Sequence, residues 1–385
     1  MSENTVKCLI LGHNDVSLLL KKVIETAYRT LFQKVTGNVL SVEGFFVESP
    51  EDADAANGII ALKDLKDAYD NGVRLFIIPE ENYVGQSVVT SAFLLLGIPF
   101  DAVSIAQPVR KELLQPDRIL SLLTPFYSAG YLPYLEYHVA DHCNLNCKAC
   151  EHYSGLVEGE VYPDFEALSR DLEKLHSFIP RIGQIRILGG EPLLNPDICA
   201  YIDLTRRLYP DTQLSVVTNG IRLFSIGEEF YDAVRRNQAS IHVSLYPPLK
   251  DRAEDLKALL ALKNVRHDLS DPVTSFTKKQ ILQPHDHPFE AFAFCFQSRC
   301  HNLYDGKLAA CFLPFTTKYF NAYFKKELPE DGAIDLYDPA LSTEAVKRHL
   351  LTPLARCAYC TDPVDIDWAT MHEPSILEDW VIDAK

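Results

Sequence analysis

The stretch YLEYHVADHCNLNCKAC, residues 134–150, decides how the rest of this chain is read. Its first half looks like a strand. Its second half is a loop that carries Cys143, Cys147 and Cys150 in a C-x3-C-x2-C spacing. Three thiols this close offer three thiolates to a metal centre and leave one coordination position open for an exchangeable small molecule. Two plainer readings compete. The same spacings place the thiols on one face of a helix, although the strand-like run before them argues for a loop. A structural zinc needs four ligands, and His142 or His152 can supply the missing one.

The next landmark is RILGGEPLLNP, where QIRILGG reads as a buried strand and NPDICAYIDLTRRL as the helix after it. Two glycines at a strand's end free backbone N–H and C=O groups for a ligand, because no Cβ obstructs its approach. QLSVVTNG is a further strand, ending at Thr218, Asn219 and Gly220, and ASIHVSLYP is another, with Ser244 near its end. The cysteine triplet followed by Gly189, Gly190, Glu191 and Pro192 resembles the radical S-adenosylmethionine enzyme family.

That resemblance implies a [4Fe–4S] cluster on Cys143, Cys147 and Cys150, with S-adenosylmethionine on its open iron. It implies that Gly189, Gly190, Glu191 and Pro192 meet the amino acid end of the ligand. Thr218, Asn219 and Ser244 would approach its ribose or methionyl group, against a plainer reading as strand-end caps. The chain departs from the pattern at Ala149, where many members carry an aromatic residue against the adenine; backbone, His152 or Tyr153 would take over that contact. The implied chemistry is reductive cleavage of S-adenosylmethionine to methionine and a 5′-deoxyadenosyl radical, which abstracts hydrogen from an unactivated carbon. An electron donor such as flavodoxin or ferredoxin is an implied partner.

Working outward, the pattern divides the chain into an α/β fold of several parts. Residues 1–115 alternate strands (KCLILG, NVLSVEGFFVE, RLFIIPEE) with helices, which predicts a small doubly wound, Rossmann-like domain. LGHND stands where a dinucleotide-binding glycine fingerprint would be, so no such cofactor is expected there. Residues 116–130 read as a connector. From 131 to 284, five strands alternate with four helices, and a sixth strand is expected after Lys278. This resembles the family's partial (β/α)6 barrel, whose chemistry sits at the C-terminal strand ends.

Residues 285–385 hold Cys295, Cys300, Cys311, Cys357 and Cys360, and resemble the auxiliary iron–sulfur modules called SPASM and twitch. CHNLYDGKLAAC predicts a hairpin turning at Asp305-Gly306. Counting back from the turn pairs Tyr304 with Lys307 and then Cys300 with Cys311, which favours Cys300 as a ligand of a second [4Fe–4S] cluster. The module's own spacing, cysteine to Gly306 to Cys311, favours Cys295. Whichever is unligated is a free thiol and a candidate hydrogen-atom donor. A zinc site or a disulfide are the plainer alternatives. Cys8 and Cys199 read as small core residues.

Over 385 residues the formal charge is −16, which argues against a general nucleic-acid partner. MSENTVK has no signal-peptide character, and SVVTSAFLLLGIPFDAVSIA is broken by Pro99 and Asp101, so a cytoplasmic chain without a membrane span is expected. The leading reading of the substrate is a sugar, nucleotide sugar or small polyol that is oxidised. Radical epimerisation, peptide maturation and a non-catalytic electron carrier are the alternatives.

Overall fold

The first strand, β1 (Asn4–Leu11), is exposed where it starts and buried from Cys8 onward. It lies inside a six-stranded sheet with β2 (Asn38–Val47), β3 (Ile59–Ala61), β4 (Val73–Pro79), β5 (Val103–Ala106) and β6 (Leu123–Pro125). The order is β3-β2-β1-β4-β5-β6. The first five strands run parallel, and β6 closes one edge antiparallel to β5. Parallel neighbours require crossovers, supplied here largely by helices: α1 (Asp15–Val23), α2 (Arg29–Thr36), α3 (Leu65–Asp70) and α4 (Gln86–Leu96). This is the expected doubly wound arrangement. The LGHND segment closes as a helix cap: Asn14 accepts from the Ser17 N–H, and the Ser17 hydroxyl accepts from the Asn14 N–H. Cys8 is a core residue, packed with Ile10, Leu20, Leu40 and Ile77, and burial pushes its thiol up to about 12.

These elements belong to a computed structural model that describes residues 4–82, 86–115 and 118–383. Two compact units compose it, Met1–Pro133 and Tyr134–Lys385. Pro116 and Asp117 of the expected connector lie outside the described residues, and the rest of that stretch contributes β6.

The second sheet is built from β7 (Tyr131–Ala140), β8 (Arg181–Gly189), β9 (Gln213–Thr218), β10 (Ser240–Val243) and β11 (Arg266–Leu269), side by side in chain order. The crossover helices are α5 (Phe165–Phe178), α6 (Ile198–Leu208), α7 (Glu228–Arg236) and α8 (Ala253–Leu262). Period-two alternation sorts the two faces. Tyr137 points to the helices, where its hydroxyl lies 2.6 Å from the Thr205 hydroxyl on α6, and Ile185, Ile187, Leu214, Val216, Ile241 and Val243 are buried. Glu136 and His138 take the opposite face.

The remaining strands are β12 (Ser275–Gln280), β13 (Asn302–Tyr304), β14 (Lys307–Ala309), β15 (Ile334–Asp335) and β16 (Cys360–Asp367), with helices α9 (Pro288–Phe294), α10 (Leu313–Phe324) and α11 (Thr343–His349). Here the structure corrects the sixth-strand expectation. The strand near Lys278 forms, but as β12 it leaves the parallel sheet and pairs antiparallel with β16. Its sequence SFTKKQ lacks the apolar run that a strand covered on both faces requires. Instead β13 joins the free side of β7 in parallel, followed by β14 and β15, to give an eight-stranded sheet. The Asp305-Gly306 turn is as expected, with φ of 47° and 69°, and Tyr304 faces Lys307. No helix among the described residues is long and apolar enough to cross a membrane.

Candidate metal centres

Cys143, Cys147 and Cys150 lie in the loop that follows β7. The C-terminal segment straps this loop: Lys148 N–H donates to the Ala369 carbonyl at 2.8 Å, and Met371 N–H donates to the Asn146 carbonyl at 2.8 Å. The Lys148 ammonium is 3.2 Å from the buried carboxylate of Asp379. Burial pushes the Cys143 and Cys147 thiols up to about 12, and neighbouring thiols add to it. Three thiolates held together away from water repel one another, and a cationic iron–sulfur group bound to all three removes that penalty. The donor set therefore fits such a cluster. Among the described residues no three His, Cys, Asp or Glu side chains are gathered to hold a single metal ion. His142 accepts from the Val161 N–H at 3.0 Å. The His152 ring packs 4.8 Å from His138 and 4.2 Å from Phe312, and burial with the nearby His138 brings it down to about 3.

The two glycines also have a packing role. A Cβ on Gly189 would come within 2.0 Å of the Ala140 carbonyl oxygen, and one on Gly190 within 2.2 Å of the His142 carbonyl oxygen. They let the end of β8 press onto the backbone that leads into Cys143. Gly190 N–H donates to the Ala140 carbonyl at 2.7 Å, and Glu191 N–H to that of His142 at 3.1 Å. The Glu191 carboxylate is fully buried and spent between strand ends, accepting from the Thr218 hydroxyl at 2.7 Å, Asn219 N–H at 2.9 Å and Leu193 N–H at 3.0 Å. Burial pushes it up to about 7 against those hydrogen bonds. Pro192, also buried, opens the short turn after it. Thr218 and Glu191 thus brace this corner through their side chains.

Asn219 reaches the loop itself. Its amide nitrogen is 2.6 Å from Asn144 Oδ1 and 3.7 Å from Cys143 Sγ. Ser244 is half-buried just beyond β10, and its N–H donates to the Thr218 carbonyl at 2.9 Å. Two residues further on, Tyr246 faces the thiols of Cys143, Cys147 and Cys150, and burial, then those thiols, push its hydroxyl upward. Sequence reasoning missed it, although it closes the same strand end as Ser244. It also missed Trp368, 6.3 Å from Tyr246 ring to ring, whose indole faces the Cys147 thiol and lowers it against burial. No local pattern announced that contact. Tyr153, proposed for the adenine, is instead drawn into a core with Phe320 and Trp380, at 5.3 and 5.7 Å.

Four of the five cysteines of the second group share one cavity wall. Cys295, Cys311, Cys357 and Cys360 line one cavity of about 380 Å³, together with Lys279, Gln297 and Arg356. Cys300 is not on its wall. The hairpin ladder stops at Asn302 opposite Ala309, so the pairing of Cys300 with Cys311 is not made, and Cys300 ends a single helical turn. Its thiol lies beside Glu136 and Arg186, and burial first, then Glu136, push it upward. Cys199 is half-buried on α6.

Residues 137–269 match the model of the Radical SAM superfamily. Curated relatives named GTP 3′,8-cyclase, from Thermodesulfovibrio yellowstonii and a Nostoc species, are 31% and 33% identical over 105 and 126 residues. These alignments cover 26% and 31% of this chain and 32% and 37% of the relatives, so the chain spans roughly a third of their length. A 7,8-dihydro-6-hydroxymethylpterin dimethyltransferase of Methanocaldococcus jannaschii is 39% identical over 90 residues, covering 23% of this chain and 17% of its own. Among solved structures, BtrN in complex with AdoMet and 2-DOIA aligns with a TM-score of 0.38 at 15% identity, covering 61% of this chain and 92% of BtrN. The anSMEcpe protein with bound AdoMet gives 0.30 at 19% identity, covering 37% and 43%. Residues 137–269 thus carry a Radical SAM domain, and that family implies a [4Fe–4S] cluster and S-adenosylmethionine.

Proposed function

We propose that this protein is a radical S-adenosylmethionine oxidoreductase that dehydrogenates a small polar substrate, a sugar, nucleotide sugar or related polyol. The observation that carries the reading is the cavity walled by four thiols, Cys295, Cys311, Cys357 and Cys360. Four protein ligands complete a [4Fe–4S] cluster. A cluster so closed is suited to accept an electron and has no site left for substrate. Cys143, Cys147 and Cys150 would hold the first cluster, which with S-adenosylmethionine would supply radical hydrogen abstraction. The protein's own groups position the substrate and exclude water.

The face of the sheet opposite the helices supports a polar substrate. Glu136 stands opposite Asn302, and Arg186, Ser215, Ser240 and Arg266 stand opposite one another across successive strands. On that face His138 Nε2, Arg186 Nε, Ser215 Oγ and Asn302 Oδ1 are buried without hydrogen-bond partners. Such orphaned groups call for a ligand or water to satisfy them. The curated cyclases name GTP, and a nucleotide-linked sugar shares that chemistry.

The Cys300 thiol lies off the wall of the four-thiol cavity, at the level of Tyr134 and Glu136 on the polar face. Alanine at Cys300 is therefore expected to keep all of roughly eight irons, whereas alanine at Cys295 should leave about four. Iron analysis after anaerobic reconstitution separates them, and loss at Cys300 with retention at Cys295 reverses the ligand assignment.

The reaction itself is tested with a panel of nucleotide sugars and cyclitols, scored by substrate-dependent 5′-deoxyadenosine. Turnover of the active compound in heavy water should give a product lighter by two hydrogens and free of solvent deuterium. A redox-neutral product carrying one deuterium would show that a thiol returns hydrogen, and epimerisation would replace dehydrogenation.

A further inference from the structure

Glu151 follows Cys150 directly in the chain, and its carboxylate is 3.1 Å from the ammonium of Lys279 on β12. The same ammonium lies 4.0 Å from the Cys295 thiol. Lys279 lines two cavities. One, of about 220 Å³, is bounded also by Ala149, Cys150 and Glu151. The other is the cavity walled by the four thiols. From the wall of the second, the Gln297 amide donates to the other Glu151 oxygen. The Lys279 and Glu151 side chains are 11% and 28% exposed, so solvent and salt screen the pair far less than a surface ion pair. The result is an ion pair with a direction: its anion adjoins a ligand of the first cluster, and its cation adjoins a ligand of the second.

We propose that the Glu151–Lys279 pair is an electrostatic positioning device that sets the two clusters apart in reduction potential. This rests on the two-cluster reading above. Reduction adds one negative charge to a cluster, and cluster potentials follow the local charge. A cation against Cys295 favours the reduced form of the auxiliary cluster, and a carboxylate beside Cys150 disfavours that of the first. The balance is complete: one electron from an external one-electron donor cleaves S-adenosylmethionine, and a hydrogen atom leaves the substrate for the deoxyadenosyl group. The substrate radical then loses a proton to solvent and an electron to the auxiliary cluster. The pair favours the last step.

Potentiometric titration of the reconstituted full-length protein, followed by electron paramagnetic resonance, tests this without turnover. In Lys279→Met the reduced-to-oxidised ratio of the auxiliary cluster at a fixed potential should fall at least tenfold, which is 59 mV for a one-electron couple. Glu151→Gln should move the same ratio the opposite way and raise that of the first cluster. Lys279→Arg, which keeps the charge, should stay within about threefold of the parent protein. An unchanged ratio in Lys279→Met, or shifts of the same sign in Lys279→Met and Glu151→Gln, overturns the proposal. If Lys279→Met loses its auxiliary irons, Glu151→Gln decides alone, and no rise there refutes the idea. A parent protein with about four irons and one couple would instead remove the two-cluster reading itself.

Discussion

Replacing Cys143, Cys147 and Cys150 together by alanine is expected to leave about four of roughly eight irons per chain and to abolish 5′-deoxyadenosine formation. The three thiols share one loop, and each carries a penalty from burial that the others increase or that iron relieves. Alanine removes that penalty along with the ligands, so the chain should remain folded. The four-thiol cavity draws its walls from elsewhere, namely α9, the segment after β14 and the turn before β16. Its irons should therefore stay. Iron analysis and chromatography of the quenched reaction check both halves. Unchanged iron in the triple variant would show that the loop holds no cluster.

Gly190→Val should be nearly as damaging, by a different route. Its Cβ would stand 2.2 Å from the His142 carbonyl oxygen and 2.6 Å from that of Asp141, both backbone atoms with little freedom to yield. Relief requires β8 to part from the end of β7, breaking the hydrogen bonds to Ala140 and His142. Overpacking and lost buried hydrogen bonds together cost about 3 to 5 kcal/mol. The shift falls immediately before Cys143, so the first cluster should be lost while about four auxiliary irons remain. A lower melting midpoint with reduced iron is the expected pair of readings. Full iron and a parental midpoint, with S-adenosylmethionine binding lost, would return these glycines to the role of making room for the ligand.

What could be read in the sequence was what neighbouring residues decide. The strands from β7 to β10 announce themselves because apolar runs end at turn residues such as Asn219-Gly220, and the β13–β14 hairpin because Asp305-Gly306 accepts left-handed backbone. The cysteine loop was legible from spacing alone. What escaped depends on partners far along the chain. β12 has the local character of a strand, and only β16, contributed by the C-terminal region, decides where it pairs. The Trp368–Met371 strap over the cysteine loop and the placement of Tyr246 near the thiols have no periodic signature. Counting from the hairpin turn to pair Cys300 with Cys311 assumed that the ladder continued past Asn302, where it stops. The segment before it instead coils into a helical turn, which places Cys295 with Cys311 and turns Cys300 toward Arg186.

The most direct measurement is iron and sulfide analysis, with Mössbauer spectra, of the anaerobically reconstituted protein before and after reduction in the presence of S-adenosylmethionine. Two four-iron clusters per chain, with 5′-deoxyadenosine formed only on reduction, is the result expected from the triplet at Cys143, Cys147 and Cys150 and the four-thiol cavity. A single cluster, or two clusters with S-adenosylmethionine left uncleaved, would contradict it.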